Sequence, residues 1–234
     1  MSTWIVLAAL VPAVPVILYV AILKNLPVRL EVTVIDEDSV PFGLLDLEDT
    51  FLELGFERCG PPMVVGLTPP PLVIPLHHPR DRCYATIYHV RNGNKTGYDI
   101  VSLLDADDGV LTSATDPGAG VLPLPEDAFL QILPPMGPAD LFRRHHDAMR
   151  ELDQRGIGTR PISPNAYRDH LRGFIARVRR VFLSRRAVHT FVAIYRSVSR
   201  RNPYLGPLQA QEAFDAQVAA LRDPARGRDE LIRS

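Results

Sequence analysis

Cysteine and lysine are both nearly absent from this chain of 234 residues, which has only Cys59, Cys83, Lys24 and Lys95. Two cysteines allow one disulfide at most: in the cytoplasm they are expected to be reduced small core residues, and outside it they could pair. Scarce lysine beside abundant alanine and proline points to a GC-rich coding genome and a bacterial source. Also missing are the short motifs that carry common chemistries. There is no Walker loop, no Gly-x-Gly-x-x-Gly, no His-Glu-x-x-His and no Gly-x-Ser-x-Gly elbow. Aromatic residues are sparse at 7%, with a single tryptophan. Nucleic acid therefore ranks last among partners, for want of stacking side chains and of any recognisable module.

What is present is charge of both signs, held apart. The formal net charge is −1. Residues 31–155 nevertheless carry 21 Asp/Glu against 9 Lys/Arg, and residues 160–201 carry 11 arginines against Asp169 alone. Segregation of this kind bears on partners in a way that the total does not.

The other concentration is apolar. From Trp4 to Leu23 run 20 residues without a charge. As a helix they would span about 30 Å, the thickness of the bilayer hydrocarbon. Trp4 and Tyr19 lie near its ends, where amphipathic rings favour the interface. No basic residue precedes the run and no small-x-small site follows it, so an uncleaved anchor is expected rather than a signal peptide. Lys24 and Arg29 follow the run, which puts the N-terminus outside and the bulk of the chain in the cytoplasm.

After this anchor (1–25), an acidic α+β domain is expected over 28–156. The alternation in 28–35 predicts a half-buried strand. Asp46 is read as the cap of a short helix that Gly55 ends. Further strands are expected near 72–76, 83–91, 97–104, 110–114 and 129–133. Turns at Arg91–Asn94 and Asp105–Gly109 join neighbours, so the sheet is expected to be antiparallel. A packing helix should start at Pro138 and run to Gly156, with Leu141, His145, Ala148, Met149 and Leu152 inward. Asp105, Asp107 and Asp108 do not match a calcium loop, since the sixth position is Val110 and the twelfth Asp116.

A basic helical region is expected over 160–223, before a polar tail at 224–234. Ser163–Pro164 is a helix start. Tyr167, Leu171, Phe174, Val178, Val181, Val188, Val192 and Tyr195 then follow in steps of three and four, interrupted at Arg185. The stripe can pack on the domain or on a second copy. Arg172, Arg179, Arg180, Arg185 and Arg186 lie elsewhere on the wheel, where anionic lipid headgroups would contribute about 1 kcal/mol per arginine.

His77, His78 and His145 are the other candidates. Neighbouring histidines point to different sides of a strand or helix, which does not suit a metal ligand set, so neither metal nor cofactor is called for. "FLELGFERCG", "HHP", "DGVLTSAT" and "DLFRRHHD" together resemble uncharacterised bacterial single-pass membrane-anchored proteins over residues 51–147. The resemblance implies a helix–strand module with a histidine in the following helix, and implies no activity. The expected function is a membrane-anchored binding or scaffold module. The alternative is a tethered enzyme that uses these histidines near loops at 66–82 and 115–128.

Overall fold

In a computed structural model the described residues are 19–20, 23, 26–67, 69–90, 95–105, 109–115, 125 and 128–184. Most of the 4–23 run, and Arg185 and Arg186 with everything after Ser184, lie outside them. No helix among the described residues is long and apolar enough to cross a membrane.

The fold is α+β, built on one mixed sheet. Its strands are β1 (Val32–Val34), β2 (Glu57–Arg58), β3 (Met63–Val65), β4 (Pro71–His78), β5 (Cys83–Val90), β6 (Lys95–Leu103), β7 (Val110–Ala114) and β8 (Ala128–Ile132). The order is β1-β3-β4-β5-β6-β7-β8, with β2 also on β4. Three helices flank the sheet: α1 (Phe42–Glu53), α2 (Pro138–Gln154) and α3 (Tyr167–Ser184).

β4 is buried along nearly its whole length and reads as a continuous apolar run. Pro75 sits inside it without an N–H to donate, a position usually closed to proline in a central strand. On that edge β4 has two short partners, β2 opposite Leu76 and His77 and β3 opposite Leu72 and Val73. Pro75 falls in the gap between them and contributes only its carbonyl, which accepts from the Cys59 N–H at 3.1 Å.

Strand alternation divides the core between two faces. Leu72, Ile74 and Leu76 of β4 join Ala85, Ile87 and Ile100 under α1 and α2. Val73, Tyr84, Leu103 and Val110 turn the other way and pack under Tyr167, Leu171 and Phe174 of α3. The result is three layers: helices, sheet, helix.

α1 and α2 end alike. Gly55 (φ 93°) and Gly156 (φ 79°) take the left-handed conformation. Gly55 N–H donates to Leu52 O at 2.9 Å and Phe56 N–H to Phe51 O at 3.1 Å. Gly156 and Ile157 repeat the pattern on Asp153 and Leu152. These are Schellman closures, and Phe56 packs edge-on against Phe51 at 5.2 Å, the apolar contact that accompanies them.

Four expectations need correction. The last strand, β8, runs parallel to β7, so the sheet is not wholly antiparallel; a parallel pair needs a crossover connection rather than a tight hairpin. The first strand is confined to Val32–Val34, because β3, the strand it pairs with among the described residues, is only Met63–Val65; Val28 is exposed. Asp46 lies inside α1 rather than capping it, since the helix begins after Pro41, whose fixed φ leads into the first turn. Finally, 66–82 is not a loop: it contains β4, and His77 and His78 are strand residues.

Candidate functional site

α3 is the basic helix. Ser163 and a 3-10 turn at Pro164–Ala166 lead into it. Tyr167, Val178 and Phe182 are its buried residues. The first half of the predicted stripe is thus covered within the chain itself, and Val188, Val192 and Tyr195 lie outside the described residues. At the start of α3, Tyr167 Oη bonds Thr86 Oγ1 at 3.0 Å, and Tyr84 Oη donates to the Ser163 carbonyl at 2.7 Å. Burial raises the Tyr167 hydroxyl well above its ordinary range, with Asp99 adding to the effect, and burial raises Tyr84 as well, so both hydroxyls stay neutral.

The far end of α3 meets the chain that leaves the apolar run. Val178 and Phe182 form a small core with Leu26, and Tyr19 and Leu23 pack on it. Tyr19 stacks on Phe182 with ring centroids 5.9 Å apart. Arg179 Nη1 donates to the Leu26 carbonyl at 2.6 Å. Arg179 is therefore committed to the chain in part, whereas Arg172 and Arg180 are exposed. Arg172 lies 3.5 Å from Asp169 across an exposed i, i+3 pair, which contributes little. Over its described length α3 carries five arginines against Asp169 alone.

The three histidines do not assemble. His145 is fully buried on α2, between the β6 and β7 hydroxyls. Its Nε2 lies 2.9 Å from Ser102 Oγ and its Nδ1 2.9 Å from Ser113 Oγ. Ser113 Oγ also donates to Gln131 Oε1 at 3.2 Å. The arrangement that satisfies every strong acceptor puts the proton on Nδ1, donating to Ser113, while Ser102 donates to Nε2. Desolvation, with a smaller contribution from His146, pushes the imidazole down to about 3, so it is neutral. His77 Nδ1 faces the Glu57 carbonyl at 3.1 Å on the neighbouring strand.

His78 points to the other side of β4, between the rings of Phe56 and Phe142. Its Nδ1 lies 2.7 Å from Asp81 Oδ2, and His146 Nε2 approaches the same oxygen at 3.4 Å. This His78–Asp81–His146 group ties the β4–β5 turn to α2. The i, i+3 spacing of His78 and Asp81 was visible in the sequence, but the approach of His146 was not. No group of three His, Cys, Asp or Glu residues among those described could hold a metal ion. Comparison with protein-family models, with curated proteins and with solved structures finds no match.

A second surface lies on α1. Leu44 and Phe51 face the core, and Phe42 and Leu52, with Leu45 partly packed on that core, form an apolar strip beside Asp46 and Asp49. The strip borders a groove of about 500 Å³ that ends at Arg58. Arg58 is held by both the buried Glu48 and the exposed Glu37.

Proposed function

We propose that this protein is a membrane-anchored binding or scaffold module whose basic helix α3 lies against anionic lipid headgroups. The proposal takes residues 4–23 as the membrane anchor, with the folded body in the cytoplasm. The observation that carries it is the contact of Arg179 and Phe182 with Leu26 and Tyr19. Leu26 is three residues beyond Leu23, about 5 Å at helical rise, which is within the headgroup layer if the apolar run spans the hydrocarbon. That contact would hold α3 near the depth where positive charge gains most. Arg168, Arg172 and Arg180 together would contribute on the order of 3 kcal/mol at an anionic surface. Because the anchor already confines the body there, little translational entropy opposes the contact.

The test uses a fragment of residues 19–234, which keeps Tyr19, Leu23 and Leu26 on α3 while removing most of the apolar run. It should co-sediment with anionic vesicles, ignore neutral ones, and dissociate as salt rises towards 0.5 M. Replacing Arg168, Arg172 and Arg180 by glutamine should abolish sedimentation and leave the helical circular dichroism unchanged. Equal binding to neutral vesicles, or none to anionic ones at low salt, would reject the lipid contact.

A further inference from the structure

The outer face of α1 is apolar at Phe42 and Leu52, while Leu45 between them packs in part on the core. Phe42 is 77% exposed and Leu52 42%. With Leu45 they line one side of the helix at i, i+3 and i+10, the spacing of a helix-in-groove contact. The rim is acidic: Asp46 and Asp49 stand on the helix, and neither has a cationic partner among the described residues. Arg58, the one cation that lines the groove among the described residues, is already paired with Glu37 and Glu48.

We infer that this groove docks residues 185–201 of the same chain. That segment carries five arginines and no acid, with Val188, Val192 and Tyr195 at helical spacing. Apolar strip thus matches apolar stripe, and acidic rim matches basic flanks. α3, which ends at Ser184, lies on the face of the sheet opposite α1, so the segment would reach the groove around an edge of the sheet. Arg185 and Arg186 are then shared between two acidic surfaces, groove and lipid, and anionic membrane competes for them. That last point rests on the proposed lipid contact; the docking itself does not.

The experiment places the photo-crosslinking residue benzoylphenylalanine at Leu52 in the full chain, in discs of neutral lipid. Mass spectrometry of the product should find the crosslink within 185–201 of the same molecule, with mixed isotope labelling excluding a second copy. Asp46→Lys with Asp49→Lys should lower the yield at least fivefold, while the chain retains its cooperative thermal transition. Crosslinks to a second copy, to lipid, or to other parts of the chain would overturn the inference, as would a yield unaffected by the two lysines. Changing to anionic discs separates the two proposals. A fall in yield supports competition; an unchanged yield rejects sharing with lipid and leaves the docking intact.

Discussion

Replacing His145 by glutamine should remove a specific part of the protein's acid sensitivity. In the folded chain the ring is fully buried and its pKa is pushed down to about 3 by desolvation. In the unfolded chain it titrates near 6.5. The depressed folded value means that the unfolded state binds the extra proton, so stability is complete above about pH 6.5 and declines as pH falls towards 3. Between pH 7 and pH 5 the loss is about 2 kcal/mol from this one residue. That figure depends on the unfolded value alone, provided the folded value lies well below 5. The variant should lose about 1–3 kcal/mol at pH 7, because Ser102 and Ser113 lose their shared partner. The assay is urea unfolding of both proteins in detergent at pH 5, 6 and 7, since the difference of differences cancels every other histidine. If the variant declines between pH 7 and pH 5 as steeply as the parent, His145 is not neutral in the folded state and the network is misassigned.

Gly55→Ala should cost more than Gly156→Ala. Both glycines have positive φ, but a Cβ at Gly55 would lie 2.9 Å from His78 Nε2, whereas one at Gly156 meets nothing within 4 Å. The first should cost about 2 kcal/mol or more and the second about 1, read from thermal midpoints. Arg58→Met should destabilise by about 3 kcal/mol, because Glu48 is left buried without its partner, and Glu48→Gln in the same chain should restore part of the loss. Burial pushes the Cys59 thiol up to about 12 and raises Cys83 further. A thiol reagent at pH 8 should therefore modify neither cysteine quickly until denaturant is added.

Local chemistry made much of the sheet legible. β5, β6 and β7 lie within two residues of their expected ranges, because alternation and the polar turns between them are written in adjacent residues. α2 could be read from Pro138 at its start and Gly156 at its end, with His145 on the inner face. The direction of β8 could not, since an alternating strand has the same period either way up. The start of α1 was hidden by its second apolar side, which blurs the amphipathic pattern and moves attention to Asp46. At the candidate site the basic helix was visible as a stripe with arginines around it. What holds that helix was not, because Arg179 and Leu26 are 153 residues apart. Nothing in the spacing of either segment encodes their pairing.

The most direct test of the central claim is the distance of α3 from lipid headgroups in the intact protein. A nitroxide placed at the exposed Ala176 of the full chain can be read in discs that carry a nickel-chelating headgroup. The account predicts strong relaxation by nickel in anionic discs at low salt, weakening as salt rises and when Arg168, Arg172 and Arg180 are glutamine. Relaxation no greater than in nickel-free anionic discs would place α3 away from the surface and contradict the account.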